Sequence, residues 1–164
     1  KYHQVYNQKR KFMDLQHVNL KNTIDAELID IKFKGLNWVT PNFSNNAKLE
    51  IQFLKEAIND IKKENRKKIV LTDYQFFSFV TEENLNIPNR WYTHDNNSYP
   101  LDNHKYFNFY KKHLEQIFYG NAIEVVYTVG DPVFTYFKIY IKDICFDKAK
   151  LNKITTKYIL KKCK

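Results

Sequence analysis

Hydrophobic residues recur at helical spacing in two long stretches of the chain. Between residues 45 and 65 they follow one another at intervals of three and four, and this stripe consists of Ile51, Leu54, Ala57, Ile58 and Ile61. Residues 104–121 contain a second stripe, which consists of Phe107, Tyr110, Leu114, Ile117 and Phe118. Because this spacing lines one face of an α-helix, both stretches are predicted to be helices, and Gly120 is predicted to end the second.

Shorter apolar runs predict strands. Residues 67–73 contain three consecutive β-branched or aliphatic residues without alternation, which indicates a strand covered on both faces. Residues 122–132 predict a second strand that ends in a turn. In residues 29–41 the apolar residues Ile29, Ile31 and Phe33 alternate with polar ones, and further apolar residues follow Gly35. A third strand is therefore predicted there, closed by the proline at position 41.

The remaining segments complete a predicted α/β fold. Residues 74–84 predict a short helix, and residues 134–146 fit either a strand or a helix. Residues 147–164 show helical spacing, although their end, 158–163, fits an edge strand equally well. A strand-helix-strand-helix-strand order predicts a three-layer α-β-α sandwich with a mostly parallel sheet, Rossmann-like but without a glycine-rich nucleotide motif.

The chain is long enough for one domain with a buried core. Residues 25–164 are predicted to form a single α/β domain. Residues 1–24 are polar and weakly periodic, and the sequence starts at Lys1 rather than methionine. We therefore interpret residues 1–24 as a lead-in segment that follows a removed membrane region.

The net charge of +9 is concentrated near the end of the chain, where residues 138–164 contain nine lysines against Asp143 and Asp147. Proteins that read nucleic acids favour arginine for bidentate contacts, and this chain has only Arg10, Arg66 and Arg90. The charge pattern argues against nucleic acid as a partner. An anionic membrane surface remains an alternative partner for the lysine-rich end.

The sequence contains no motif for a known cofactor. Its three glycines cannot form a dinucleotide fingerprint or a P-loop, and no cofactor is predicted. The two cysteines form no zinc motif. His94, Asp95, Asp102 and His104 have the chemistry of metal ligands, but their spacing matches no known metal site, so no metal is predicted either.

Candidate binding residues follow from the predicted sheet, because ligands collect at the carboxyl ends of parallel strands. Asp73 and Tyr74 follow one such strand, and Asp73 is either a functional carboxylate or the N-cap of a helix beginning at Tyr74. The long loop over residues 86–100 supplies the other candidates, whose aromatic, basic and imidazole groups suit sugars and anions: Arg90, Trp91, Tyr92 and His94. The alternative role of Trp91 and Tyr92 is to anchor the loop.

Four stretches of the chain together resemble a known protein family: "KRKFMDLQHV", "IDIKFKGLNWVTP", "KKIVLTDYQFFS" and "PNRWYTHDNNSYP". They are similar to the C-terminal soluble domain of bacterial polytopic membrane glycosyltransferase-like proteins of the dolichyl-phosphate-mannose mannosyltransferase type. The resemblance implies an extracytoplasmic, periplasmic appendage that contacts the transmembrane part of the same polypeptide and a glycan or lipid-linked sugar. It carries over no catalytic residue.

Cys145 and Cys163 would be thiols in the cytosol and could form a disulfide in an oxidising compartment. The extracytoplasmic location implied by the resemblance favours the disulfide. The leading hypothesis is therefore a non-catalytic accessory domain with an acceptor-sugar or docking surface. The alternatives are a small stand-alone transferase or hydrolase that uses Asp73 and His94, and a lysine-rich module that binds an anionic membrane surface or nucleic acid.

Overall fold

The computed structural model describes residues 23–39, 46–89, 99–130 and 132–163. They belong to two compact units, residues 1–55 and residues 56–164, and the boundary falls within the longest helix. Nearly all of the predicted lead-in segment lies outside the described residues.

The described part of the first unit contains two very short strands and two 3-10 turns before the long helix begins. The strands pair in antiparallel fashion, and the elements are β1 (Ile24–Asp25), the turns Ala26–Leu28 and Ile31–Phe33, and β2 (Asn37–Trp38). The indole Nε1 of Trp38 donates a hydrogen bond to the buried Glu50 carboxylate at 2.9 Å. This bond ties β2 to the first half of the helix.

The strand predicted over residues 29–41 is wrong for most of its described length. The side chains of Asp25 and Asp30 each accept a hydrogen bond from the backbone N–H two residues later. Such local bonds offer the backbone an alternative to strand pairing, and each one here begins a 3-10 turn. The alternating pattern therefore did not correspond to a long extended segment.

The first predicted helix is confirmed as α1 (Ala47–Lys63). The amide oxygen of Asn46 accepts a hydrogen bond from the backbone N–H of Leu49, so Asn46 caps the helix. Leu54, Ala57 and Ile61 of the predicted stripe are fully buried. Helical periodicity thus identified both the element and its apolar face.

The second unit is built on a four-stranded mixed sheet with the strand order β3-β4-β6-β5. The strands are β3 (Lys68–Thr72), β4 (Val125–Val129), β5 (Ile144–Lys150) and β6 (Thr155–Lys162). Only β3 and β4 are parallel, and the other two pairs are antiparallel. The prediction of a three-layer, mostly parallel, Rossmann-like sandwich is therefore wrong.

The error arises from the β5–β6 hairpin. Its apolar residues Leu151, Ile154 and Tyr158 have helical spacing, but the first two lie in or beside the turn and only Tyr158 lies in a strand. The second half of β5 is exposed and contains three charged residues, Asp147, Lys148 and Lys150, as is common for edge strands. A polar edge strand lacks the apolar pattern that distinguishes a strand from a helix, so the hairpin did not stand out in the sequence.

The other predicted elements of the second unit are confirmed. Every residue of β3 and β4 is buried, as the unbroken apolar run in β3 indicated. The short helix is α2 (Phe77–Thr81), the second long helix is α3 (Phe107–Glu115), which continues as a π-helical turn, Gln116–Gly120, and a 3-10 helix spans Phe134–Ile139.

One aromatic-rich core packs α3, its π-helical turn and the 3-10 helix against one face of the sheet. Its buried members are Ile69, Leu71, Tyr99, Leu114, Phe118, Ile123, Val126, Phe134, Phe137, Tyr140, Ile141 and Tyr158. The rings of Phe134 and Tyr158 have their centroids 5.0 Å apart, and those of Tyr110 and Tyr140 are equally close in an edge-on arrangement. Aromatic pairs of this kind add to the hydrophobic stabilisation.

Candidate functional site

The carboxyl ends of β3 and β4 are neighbours, as the sequence predicted, because Thr72 and Val129 are register partners in the parallel pair. After β3 the chain turns sharply. The hydroxyl oxygen of Thr72 accepts a hydrogen bond from the backbone N–H of Tyr74, and its carbonyl accepts one from the side chain of Gln75. This turn leaves Asp73 exposed at the strand end.

Asp73 does not cap the following helix. That helix begins at Phe77, and the residue at its N-cap position is Phe76, which makes no side-chain capping bond. The predicted N-cap role is therefore wrong, because residues 73–76 form a turn rather than the first turn of the helix. The role of Asp73 as a ligand-contacting carboxylate stays a prediction.

Tyr74 packs against the backbone at the end of β4. Gly130 has φ of +87°, and a Cβ atom placed there would lie 3.1 Å from Cε2 of Tyr74. The backbone N–H of Gly130 also donates a hydrogen bond to the carbonyl of Ile154 in the β5–β6 turn at 2.9 Å. Glycine at this position thus allows the ends of β3, β4 and the hairpin to meet.

The four candidate residues of the long loop, Arg90, Trp91, Tyr92 and His94, lie outside the described residues. So does Asp95. His104 is described, and its Nδ1 accepts a hydrogen bond from the backbone N–H of Tyr106. In the described ranges, histidine, cysteine and acidic side chains form no group that could hold a metal ion.

The segment that leads into this loop is tied to the sheet edge and to α3. The backbone N–H of Val70 donates a hydrogen bond to the carbonyl of Leu85 at 3.2 Å, beside β3. Leu85 is fully buried, and farther along the hydroxyl of Tyr110 donates a hydrogen bond to the Asn89 side chain at 2.6 Å. The residues before the loop therefore have fixed positions.

The segment that leaves the loop is anchored in the aromatic core. The ring of Tyr99 is buried, with its centroid 5.5 Å from that of Phe137. The hydroxyl of Tyr140 donates a hydrogen bond to the carbonyl of Pro100, and burial raises the pKa of Tyr140 to about 12. The alternative anchoring role of Trp91 and Tyr92 lies outside the described residues, and Tyr99 was missed from the sequence, although an aromatic residue before proline at the end of a polar run was a usable signal.

An internal network of charges joins α1, β4 and β6. The buried Tyr127 hydroxyl donates a hydrogen bond to Asp60 Oδ1 at 2.5 Å. The ammonium of Lys157 lies 3.2 Å from the same oxygen and 2.8 Å from Glu64 Oε2. Arg66 donates two side-chain hydrogen bonds to the Glu64 carboxylate, at 2.9 and 2.7 Å. No sequence motif indicated this network, because its members are far apart in the chain.

The network moves the pKa values of two ionisable groups away from neutral pH. Hydrogen bonding by Arg66 lowers the pKa of Glu64 well below its ordinary value, and Lys157 lowers it further. Burial raises the pKa of Tyr127, and its hydrogen bond to Asp60 raises it further. Glu64 thus stays ionised and Tyr127 stays protonated across the physiological range, which suits a structural role rather than proton transfer.

Described residues of the second unit line one cleft at the start of β3 and another beside Cys163. The first, which we call the amino-end cleft, has a volume of about 540 Å³ and lies where β3 begins and where the chain approaches β4. Its lining residues are Asn65, Arg66, Lys67, Lys68, Glu83, Asn84, Asn86, Gly120 and Asn121. The second has a volume of about 680 Å³ and is lined by Lys111, Glu115, Tyr119, Lys142, Asp143, Lys162 and Cys163. Burial, with the nearby charges of Asp143 and Glu115, raises the pKa of Tyr119 in the second cleft.

The second cleft borders a disulfide between Cys145 and Cys163, whose Cα atoms are 5.0 Å apart. The bond connects β5 to the residue that follows β6, so it closes the open end of the hairpin. It accounts for both cysteines of the chain.

Comparisons of the chain with models of known protein families, with curated proteins and with solved structures found no match. Among the residues that the structure describes, no helix is long and apolar enough to cross a membrane. Any functional assignment therefore depends on the residues themselves.

Proposed function

We propose that the chain is a non-catalytic accessory domain of a membrane-bound glycosyltransferase-like protein, located on the extracytoplasmic side of the membrane. The observation that carries this proposal is the Cys145–Cys163 disulfide, because disulfides persist in oxidising compartments and are rare in the cytosol. The sequence resemblance supplies the parent protein. The transmembrane part of the same polypeptide would be the partner, and an acceptor glycan or lipid-linked sugar the ligand.

The ionisable groups support binding rather than catalysis. A general acid or base works best when its pKa lies near the operating pH. The pKa of Glu64 is lowered and that of Tyr127 is raised, so both pKa values move away from neutral pH. Both groups are also engaged in the internal network. Their arrangement stabilises the domain and holds no proton ready for transfer at neutral pH.

The proposed contact surface combines the end of β3 with the long loop. The residues assigned to it are Asp73, Tyr74, Arg90, Trp91, Tyr92 and His94. The fixed segments on either side of the loop support this choice, because a binding loop on a rigid scaffold loses less conformational entropy when it contacts a ligand.

Purified residues 1–164 provide the test. We expect no glycosyl transfer and no glycoside hydrolysis, but binding to an immobilised glycan panel that Trp91→Ala and Tyr74→Ala weaken. Phe109→Ala is the matched control, because its ring is 79% exposed on α3 and Phe109 is not among the residues assigned to the surface. Circular dichroism separates loss of contact from loss of folding.

Turnover by the isolated chain would contradict the accessory role. If that turnover required Asp73 and His94, it would establish the alternative of a stand-alone transferase or hydrolase. Cysteines that remain reduced in the native cell would remove the argument for an extracytoplasmic location.

A second role is favoured by the tip of the β5–β6 hairpin. Lys148, Lys150 and Lys153 are exposed within six residues of one another. We propose that this tip contacts anionic lipid headgroups beside the transmembrane part. Each lysine near such a surface contributes roughly 1 kcal/mol.

Vesicle co-sedimentation tests this contact. We expect binding to vesicles with anionic lipid that falls steeply with salt and is lost when Lys148, Lys150 and Lys153 are changed to glutamine. Equal binding to neutral vesicles, or unchanged binding by the triple variant, would contradict it. Tighter binding to an oligonucleotide than to the vesicles would instead favour the nucleic-acid alternative.

A further inference from the structure

The amino-end cleft lies at the opposite end of the parallel strand pair from Asp73 and Tyr74. Its floor comes from the start of β3, one wall from the segment after α2, and the other from the end of the π-helical turn. Its volume of about 540 Å³ suits a small molecule rather than a peptide or a nucleic acid strand. All of its lining residues are polar or glycine.

Basic side chains outnumber acidic ones in the cleft lining, and the ion pairs show which of them can contact a ligand. The ammonium of Lys68 is buried and binds Glu83 Oε1 at 2.7 Å and the carbonyl of Glu64 at 2.5 Å. Arg66 is held by the Glu64 carboxylate. Lys67 is exposed and forms no ion pair with any residue in the described part of the chain. Lys67 is therefore the cation that can meet an anionic ligand without first losing a partner.

Asparagine side chains supply the remaining hydrogen-bonding groups. Both polar atoms of the Asn86 side chain are engaged, because its Nδ2 donates to the carbonyl of Lys68 at 3.0 Å and its Oδ1 accepts from Asn121 Nδ2 at 3.1 Å. The Asn84 side chain accepts from the backbone N–H of Asn86. Within the described ranges, the Asn65 amide, the Nδ2 of Asn84 and the Oδ1 of Asn121 keep unused hydrogen-bonding capacity.

The backbone around the cleft adopts an unusual conformation. Glu82, Asn86 and Ala122 are the non-glycine residues with positive φ among those the structure describes, at +58°, +51° and +49°. All three lie in or directly beside the walls of the cleft. Non-glycine residues in this region cost on the order of 1 kcal/mol or more and tend to occur at functional sites. Local sequence preference does not favour this conformation for Glu82 and Ala122, whereas asparagine tolerates it at position 86.

We propose that the amino-end cleft binds a small, hydroxyl-rich molecule that carries one phosphate or carboxylate group, such as a sugar phosphate or a sugar acid. Lys67 pairs with the anionic group, because its charge is the available one. The amides of Asn65, Asn84 and Asn121 donate to and accept from the hydroxyl groups. Asn86 is a positioning residue that holds Asn121 and the start of β3 in place.

The same chemistry occurs in free sugar phosphates and in the inositol headgroups of lipids. The cleft would bind it whether or not the domain belongs to a glycosyltransferase-like protein. Failure of this proposal and failure of the proposed function are therefore separate results, because Asp73 and Tyr74, the described residues of the proposed glycan surface, lie at the other end of the strands.

Titration followed by nuclear magnetic resonance of the full chain tests the proposal. With glucose 6-phosphate and with glucuronate as probes, we expect saturable shifts in the amide signals of Lys67, Asn84 and Asn121. Glucose alone and inorganic phosphate should each bind at least about tenfold more weakly than glucose 6-phosphate, because each lacks half of the contacts. Equal binding of inorganic phosphate would overturn the hydroxyl part of the assignment.

Two exposed residues allow changes that should preserve the fold, because neither side chain has a described hydrogen bond or ion pair: Asn65 and Lys67. Lys67→Gln should weaken both anionic probes about tenfold, the loss typical of one charge-assisted hydrogen bond. Asn65→Ala should weaken glucose 6-phosphate and leave inorganic phosphate unchanged. The matched control is Lys150→Gln, which removes the same charge from an exposed lysine near the other end of the sheet.

Equal weakening by Lys67→Gln and Lys150→Gln would show attraction by net charge alone and would overturn the site. Absence of saturable shifts with both anionic probes would also overturn it. Vesicles containing phosphatidylinositol form the arm that distinguishes the source. If these vesicles compete with glucose 6-phosphate for the wild-type chain but not for the Lys67 variant, the cleft binds a lipid headgroup. If the vesicles do not compete, the cleft binds the free molecule.

Discussion

Replacement of Lys157 by methionine should destabilise the protein more than any other single lysine change on the hairpin. The Lys157 side chain is 16% exposed, and its ammonium lies within 3.2 Å of Asp60 and 2.8 Å of Glu64. It also lies 5.2 Å from the centroid of the Tyr127 ring. Methionine keeps most of the side-chain length and removes the charge and all three donors.

The size of the effect follows from how exposed the two carboxylates are. Glu64 is 8% exposed but keeps its hydrogen bonds to Arg66, and Asp60 is 36% exposed, so water can replace part of what it loses. Breaking a buried pair costs about 3–5 kcal/mol, and breaking an exposed pair costs about 0–1 kcal/mol. Lys157→Met lies between these limits, so we expect a loss of about 2–3 kcal/mol in the free energy of unfolding.

Urea unfolding of the oxidised chain, followed by circular dichroism, measures this loss. The midpoint of thermal unfolding should fall by about 5–10 °C in parallel. Lys148→Met is the matched control, because Lys148 is exposed on the neighbouring strand and its ammonium also lies near a tyrosine ring, 5.9 Å from the centroid of Tyr158. This change should alter the free energy by less than about 1 kcal/mol.

A double-mutant cycle of Lys157→Met with Glu64→Gln isolates the pair. We expect a coupling energy of about 1–2 kcal/mol, within the range found for residues in direct contact. A Lys157→Met protein as stable as the Lys148 control, with no coupling to Glu64, would refute the conclusion that the network stabilises the fold.

Three further predictions concern other parts of the second unit. Because folding lowers the pKa of Glu64, the ionised carboxylate stabilises the fold above its unfolded pKa of about 4.3, and this stabilisation is lost as the pH falls below that value. The free energy of unfolding measured with urea should therefore decline less steeply below about pH 5 in Glu64→Gln than in the wild type. Reduction of the Cys145–Cys163 disulfide should lower the free energy of unfolding by about 3 kcal/mol, as expected for its sequence separation of 18 residues, whereas a variant with serine at both positions should be insensitive to reductant. Gly130→Ala should lower the thermal midpoint through a loss of about 1–2 kcal/mol, because φ is +87° and the new Cβ would crowd the ring of Tyr74; an unchanged midpoint would contradict the close packing there.

Local sequence patterns predicted the elements whose burial is regular. Helix α1 and helix α3 have one apolar face each, and β3 and β4 are buried throughout, so their residues repeat the period of the element. The adjacency of the carboxyl ends of β3 and β4 also followed from the order of elements. Asp73 and Tyr74 were correctly expected at one such end.

Other parts of the fold depend on contacts that no local pattern reveals. The β5–β6 hairpin has a polar outer strand whose pairing with β6 gives the sheet its mixed character. The turns started by Asp25 and Asp30 depend on side-chain bonds to the backbone that competed successfully with an alternating pattern.

Composition and periodicity were sufficient to establish a mixed α/β chain with two amphipathic helices and a buried parallel strand pair, because burial on one face or two leaves its period in the sequence. Strand order, the internal charge network and the amino-end cleft arose only in the tertiary structure. Tyr127 and Asp60 are 67 residues apart in the chain, and Lys157 and Asp60 are 97 apart. Such pairs form when the sheet and helix α1 bring distant backbone segments together, and periodicity within a short window carries no information about distant partners.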